Sequence, residues 1–225
     1  MPISRALLTL WAAIALAIPA YGNDAVTSPG PGVGAISQPR TNQNLAAFFT
    51  SSITKPSPGV FNYPIPMKAW QTNGTGWGRS AEYRKRIWGR NFGGLLYSET
   101  PTNGTLYVPR QKPFTWPMRR YEVDVLWTRE FAPFRHRVTP YLTSGAGAIA
   151  LNGYSNESGW DKQAALVAGA GSDVRLSRFI SLRAGFTLDA LKASTYSDLF
   201  YTSRWTVMVE PRIGFVWAFG FPRPQ

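Results

Sequence analysis

The stretch RWTVMVEPRIGFVWAF, residues 204–219, decides the fold of this chain, because apolar residues alternate in it with residues that are mostly charged or small. Alternation with a period of two places the two sets on opposite faces of a β-strand. One face is wholly apolar with aromatic residues at both ends: Trp205, Val207, Val209, Pro211, Ile213, Phe215, Trp217 and Phe219. The other combines charged and small residues: Arg204, Thr206, Met208, Glu210, Arg212, Gly214, Val216 and Ala218. Typical strands run about five or six residues, so this length favours a transmembrane β-barrel strand with aromatic residues at both membrane surfaces.

The end of the same strand resembles the C-terminal β-signal by which the barrel-assembly machinery recognises bacterial outer-membrane proteins. The resemblance rests on Arg212, Gly214, Trp217 and Phe219, which give a polar residue, a glycine and two spaced bulky apolar residues. The family usually ends on an aromatic residue, whereas this chain continues from Gly220 to Gln225. The resemblance implies that the barrel-assembly machinery is a partner of this protein.

The N-terminal part of the chain predicts export. Arg5 supplies a positive charge, residues 6–18 an apolar core, and Ala20-Tyr21-Gly22 a small-x-small cleavage site. We therefore expect a signal peptide over residues 1–22, a Pro/Gly-rich periplasmic leader over 23–57 and a barrel over 58–221. The apolar core is shorter than the roughly 18 residues of a membrane-spanning helix.

Composition restricts the possible partners. The chain has 24 Lys and Arg against 12 Asp and Glu, a net charge of +12, and no cysteine. An exported basic protein is not expected to bind nucleic acid, and the absence of cysteine excludes disulfides and thiol chemistry. We expect a monomer whose neighbours are outer-membrane lipid and lipopolysaccharide, although basic loops and turns can also simply solvate the barrel ends.

Eight stretches predict strands, and the connections between them alternate in length. The stretches are 61–69, 76–84, 92–98, 120–131, 138–151, 164–174, 180–191 and 204–219. The links at 85–90, 132–137 and 175–179 are short, whereas those at 100–118, 152–161 and 192–203 are longer and polar. Short periplasmic turns and long extracellular loops are typical of outer-membrane barrels of Gram-negative bacteria.

Residues 137–220 resemble the small outer-membrane barrels of the OmpA/OmpX type. The matching segments are Val138-Thr139-Pro140-Tyr141, Gly145-Ala146-Gly147-Ala148, 169–177, Ser181-Leu182-Arg183 and Glu210-Pro211-Arg212-Ile213-Gly214. This resemblance implies an all-β fold, an eight-stranded antiparallel up-and-down transmembrane β-barrel, located in the outer membrane of the cell envelope. It transfers no activity, because one fold carries many functions.

Ionisable residues recur on the predicted lumen side of the strands. They are Glu82, Arg84, Glu122, Asp124, Arg183, Asp189, Glu210 and Arg212. Side chains can fill the interior of an eight-stranded barrel, which favours a salt-bridged plug over a proton or ion path. Because Arg183 and Glu210 lie on the facing strands of one hairpin, we expect these two side chains to pair.

The sequence favours a structural or surface-interaction role without catalysis, cofactor or metal. The one histidine, His136, stands in a predicted periplasmic turn between two arginines, with no adjacent serine. A lipid-modifying outer-membrane enzyme would need such a general base near the outer leaflet. The other alternative is adhesion, or binding of a ligand or lipopolysaccharide, by the extracellular loops. Their aromatic residues are Tyr107, Phe114, Trp116, Tyr154, Trp160, Tyr196, Phe200 and Tyr201.

Overall fold

The computed structural model describes residues 42–54, 57–61, 67–134, 137–152, 160–192, 200–201 and 205–219. All of its regular secondary structure is β-strand. In chain order the strands are β1 (Gln43–Thr54), β2 (Ser57–Phe61), β3 (Met67–Asn73), β4 (Gly76–Trp88), β5 (Asn91–Tyr107), β6 (Phe114–Glu130), β7 (Val138–Asn152), β8 (Trp160–Arg175), β9 (Ile180–Lys192), β10 (Phe200–Tyr201) and β11 (Trp205–Phe219). Among these residues, no helix has the length and hydrophobicity needed to span a membrane.

Eight of the strands form a closed antiparallel ring. The order around the ring is β1, β4, β5, β6, β7, β8, β9 and β11. The ring closes between the first and last strands, which pair from Gln43 opposite Phe219 to Thr54 opposite Met208. The predicted all-β, eight-stranded antiparallel up-and-down barrel is thus confirmed.

The first barrel strand is β1, not the predicted stretch 61–69, so the barrel begins at residue 43 instead of 58. The predicted stretch covers the end of β2 and the beginning of β3. In β1 the sequence Leu45-Ala46-Ala47-Phe48-Phe49 is apolar on both faces, and this removes the contrast that identifies a barrel strand. The predicted signal peptide and residues 23–41 of the predicted leader lie outside the described residues.

The two faces of the barrel wall differ as the alternation predicts. On β11 the side chains of Trp205, Ile213 and Trp217 are exposed, whereas those of Met208 and Glu210 are buried. Exposed large apolar side chains also occur on β1, β4, β5, β6 and β9. An apolar exterior around a closed ring of paired strands is the arrangement that a lipid bilayer requires, so we treat the barrel as membrane-spanning.

The two ends of the barrel differ in the length of their connections. Residues 89–90, 131–137 and 176–179 form short links at the end that also holds Gln43 and Phe219; we call it the turn end. The opposite end, the loop end, has connections of six and seven residues at 108–113 and 153–159, and longer ones at 55–75, which contains β2 and β3, and at 193–204, which contains β10. The connection between β5 and β6 is shorter than predicted, because each of these strands contains 17 residues.

Three further strands extend the same sheet beyond the barrel at the loop end. β3 pairs with β5 from Trp70 opposite Tyr107 to Asn73 opposite Gly104. β2 pairs with β3, and β10 pairs with β2. We call β2, β3, β10 and residues 101–107 and 114–118 the loop-end extension.

Candidate functional site

The structure places all eight predicted lumen residues inside the barrel, and each has at most 9% of its surface exposed. They occupy alternate positions of β4, β6, β9 and β11, which is why they share the interior face. Two further residues, Arg120 and Asp173, belong to the same network. Both occupy the alternate positions of their strands that face inward, so the alternation of the sequence could have identified them.

Four charged residues form a turn-side ionic layer around Tyr141. Arg183 donates from Nε and Nη2 to the two carboxylate oxygens of Asp173, each at 2.6 Å, and from Nη1 to Glu82 Oε2 at 3.2 Å. Arg84 donates to the other oxygen of Glu82. The Tyr141 ring lies close to both guanidiniums, with its centroid 4.7 Å from Cζ of Arg84 and 5.1 Å from Cζ of Arg183. Both arginines are thus held by opposite charge and by an aromatic face.

A central ionic layer is organised around Arg120. Its guanidinium contacts Glu122 and Glu210, and its Nη2 lies 3.1 Å from Asp189 Oδ2. These three carboxylates come from three strands, β6, β9 and β11. Arg212 donates to Glu210 Oε2 at 3.1 Å and to the Thr187 hydroxyl at 2.8 Å.

The expected pair of Arg183 with Glu210 is wrong. Arg183 lies opposite Gly214, and Glu210 lies opposite Thr187. A difference of four residues along a strand corresponds to about 13 Å. The two side chains therefore belong to different ionic layers, each with other partners.

The central ionic layer contains more carboxylates than guanidiniums. Asp124 completes it, and neither of its carboxylate oxygens has a hydrogen-bond partner among the described residues. The ligand oxygens of Glu122, Asp189 and Glu210 lie within 4.8 Å of one another, close enough to share a metal ion. In the structure the guanidinium of Arg120 contacts all three, so it takes the position that such a cation would need.

An apolar cluster fills the interior between the central ionic layer and the loop end. We call it the apolar cap, and its buried residues are Ala69, Leu106, Val108, Trp116, Met118, Ile149, Leu151, Ala165, Leu191 and Met208. Ala69 belongs to β3, so the loop-end extension contributes to the cap. On the turn side, a void beside Glu82, Arg84 and Tyr141 has a volume of about 10 Å³, the smallest space that could hold one water molecule.

The predicted loop aromatics fall into different environments. Trp116 is buried in the apolar cap, whereas Tyr107 and Phe114 are exposed. On β3 and β5, Trp70 and Tyr107 lie directly opposite each other, and each exposes 43% of its surface. Tyr154, Tyr196 and His136, and the side chains of Trp160, Phe200 and Tyr201, lie outside the described part of the chain.

The residues of the predicted assembly signal lie where the barrel closes. Trp217 and Phe219 are exposed on the outer wall at the turn end, and Arg212 and Gly214 face the interior. A Cβ at Gly214 would collide with the backbone of Ala47 and Phe48 on β1. Glycine at this position therefore lets the last strand approach the first.

The chain matches no protein-family model and no curated protein sequence. Solved structures with a similar fold include outer membrane protein OprG from Pseudomonas aeruginosa, with a TM-score of 0.56, 11% identity and coverage of 80% of this chain and 96% of that one. Neisserial surface protein A has a TM-score of 0.54 and 12% identity, with coverage of 79% of this chain and 96% of that one. Outer membrane protein AlkL in lipid bilayers has a TM-score of 0.54 and 10% identity, with coverage of 88% of this chain and 99% of that one. At these identities the likeness shows the fold alone, which is the predicted barrel of the outer-membrane type.

Proposed function

We propose that this chain is a non-conducting, non-catalytic outer-membrane barrel with a structural or surface-interaction role. In this role the barrel anchors the chain in the membrane, and the loop-end extension is presented outside the cell. One observation carries the proposal: two ionic layers and the apolar cap occupy the interior one after another along the barrel.

The packing of the interior supports a plug. Ion pairs with at least one carboxylate are made by Arg84, Arg120, Arg183 and Arg212, and breaking such a buried pair leaves an uncompensated charge. An ion would have to separate these pairs and then cross the apolar cap. Both steps are costly, because the interior has a low dielectric constant and the cap has few polar groups.

The same packing supports a role without catalysis in the described part of the chain. A general acid or base must come within hydrogen-bond reach of the substrate. Glu122, Asp189 and Glu210 are fully buried and held by Arg120, and the apolar cap covers them from the loop end. A substrate in the outer leaflet would not reach them.

The proposal predicts that the full chain carries no steady current. Purified protein inserted into planar bilayers of neutral lipid should leave the membrane at its baseline conductance, because the ion pairs and the apolar cap block the interior. A large-pore porin inserted under the same conditions is the positive control. Reproducible single-channel steps from the wild-type chain would contradict the proposed function.

A second candidate function is ligand binding by the loop-end extension. Trp70 and Tyr107 stand side by side on its outer face, and Lys68 is exposed on the same strand as Trp70. Exposed aromatic residues are often central contacts in binding surfaces. The underlying sheet also places the two side chains next to each other before a ligand arrives, which lowers the entropy cost of binding.

Replacing these two aromatic residues tests the second candidate. The double variant Trp70→Ala/Tyr107→Ala on intact cells should bind immobilised surface polysaccharide about tenfold more weakly than the wild type. Trp88→Ala is the control, because it removes an exposed aromatic residue at the turn end. Equal binding by the wild type and the double variant, at equal surface levels, would exclude this surface as a polysaccharide site.

A further inference from the structure

Two arginines on the outer wall flank a glutamate near the loop end. Arg79 donates from Nε at 3.2 Å and from Nη2 at 2.9 Å to Glu99 Oε2. Arg119 Nη1 lies 3.5 Å from the other oxygen, Glu99 Oε1. The side chains of Arg79 and Arg119 are 80% and 63% exposed, whereas that of Glu99 is 14% exposed. One carboxylate thus holds two guanidiniums whose other donors face outward.

This charged group lies where the wall changes from apolar to polar. Towards the turn end, the next outward residues on β5 and β6 are Tyr97 and Tyr121. Beyond them the wall exposes Leu95, Val123 and Val125. A barrel has aromatic residues at the edges of its apolar band, so the two arginines lie at the level of the lipid headgroups.

A further exposed basic residue lies two strands away from Arg119 around the ring. Lys162 on β8 is exposed, and the residue opposite it on β7 is Ala150, which in turn neighbours Tyr121 of β6. On β1, the strand next to β4, the residue directly opposite Arg79 is the exposed Phe49. The arginines and Lys162 therefore form a basic patch that is bounded on the β1 side by an apolar residue.

The chemistry of the patch fits a phosphate monoester. A guanidinium presents its donors in a fork that matches two phosphate oxygens, and charge-assisted pairs of this kind are among the strong hydrogen bonds. Two guanidiniums and one carboxylate leave a net charge of +1, and Lys162 adds another. The carboxylate also holds the two forks near each other before a ligand arrives, which reduces the ordering cost of binding.

We infer that Arg79 and Arg119, held by Glu99, form a binding site on the outer wall for the phosphate groups of a phosphorylated outer-leaflet glycolipid of the lipid A class. The acyl chains of such a lipid would lie along the apolar wall formed by Leu95, Val123 and Val125. The inference rests on the proposed outer-membrane function, because only the loop end facing outward brings the patch to that leaflet.

Lipid binding by the full chain in phosphatidylcholine nanodiscs tests the site. Native mass spectrometry should show one retained bisphosphorylated lipid A on the wild type. The double variant Arg79→Ala/Arg119→Ala should bind it about tenfold more weakly or worse. The control Arg137→Ala/Arg178→Ala removes the same charge at the turn end and should bind like the wild type. Both variants should show the gel mobility of the folded barrel.

Two lipid comparisons and one competition with inorganic phosphate decide whether the phosphate of the glycolipid is recognised. Dephosphorylated lipid A and phosphatidylglycerol should each be retained less than bisphosphorylated lipid A by the wild type. Equal retention of either lipid, displacement of lipid A by inorganic phosphate, or an equal loss in the control variant would overturn the inference. The measurement does not depend on channel activity. A steady current in planar bilayers would therefore contradict the proposed function, whereas the lipid-binding result would stand independently.

Discussion

Deleting Ile213–Phe219 is expected to remove the protein from the outer membrane. These residues pair with Phe49 to Gln43 of β1 and thereby close the ring. Without them, the backbone groups at the turn-end half of β1 would lose their partners on one side. Such groups cost several kcal/mol each in lipid, and an open sheet edge does not persist there. Fractionation of cells should find the deletion variant degraded or in the periplasm.

Point variants separate the assembly signal from barrel closure. Phe219→Ala keeps every backbone pair of β11 but removes the last aromatic residue of the predicted signal. Phe215→Ala removes a similarly exposed aromatic residue, 48% against 43%, that is not part of the signal. We expect a lower outer-membrane level for Phe219→Ala only. Normal levels of the deletion variant would contradict the barrel itself, and equal levels of the two point variants would contradict the signal.

The strands that the sequence predicts well are those with polar residues inside and apolar residues outside. β11 and β9 have this contrast along most of their length, and so does the part of β6 that crosses the apolar band. The sequence missed β1 because Ala46 and Phe48 face inward and are as apolar as Leu45 and Phe49, which face lipid. An apolar patch in the interior thus conceals a strand from an argument based on alternation.

The loop-end parts of β5 and β6 were missed for the opposite reason. Residues 99–107 are polar on both faces over most of their length, because their outward positions lie beyond the apolar band of the wall. Polar sequence rich in Thr, Asn, Gly and Pro normally indicates a loop. Here cross-strand pairing with β6, and with β3 from Gly104 onward, keeps it extended.

The sequence predicts which charged residues face the interior but not which ones meet. Partners inside a barrel depend on the register of every strand and on contacts across the lumen. Arg120 contacts residues on β6, β9 and β11, and Arg183 contacts residues on β4 and β8. Within a single hairpin, only residues of one neighbouring strand are possible partners. The sequence therefore predicts Glu210 as the partner of Arg183 and does not predict the position of Arg120 among three carboxylates.

Replacing Arg120 by alanine is expected to cause the largest loss of stability of any single interior substitution. The change leaves Glu122, Asp189 and Glu210 close together without the guanidinium that contacts all three. Removing one partner from a buried ionic group typically costs about 3 to 5 kcal/mol. Urea unfolding in lipid vesicles should show a reduced free energy of unfolding, and the gel mobility of the folded form should be lost at a lower temperature.

Arg119→Ala is the matched control, because Arg119 is the next residue on the same strand and faces the outside of the barrel. Its side chain is 63% exposed and its ion pair with Glu99 is long, so its removal should change the free energy of unfolding by no more than about 1 kcal/mol. If Arg120→Ala does not fold at all, Glu122→Gln in the same background should partly restore folding, since it removes a buried charge whose ion pair was with Arg120. A conduction path predicts a different result, in which Arg120→Ala keeps its stability and gains steady current. That result would contradict the interpretation of the interior as a plug and would favour a pore. The interior ion pairs would then control ion passage without stabilising the barrel.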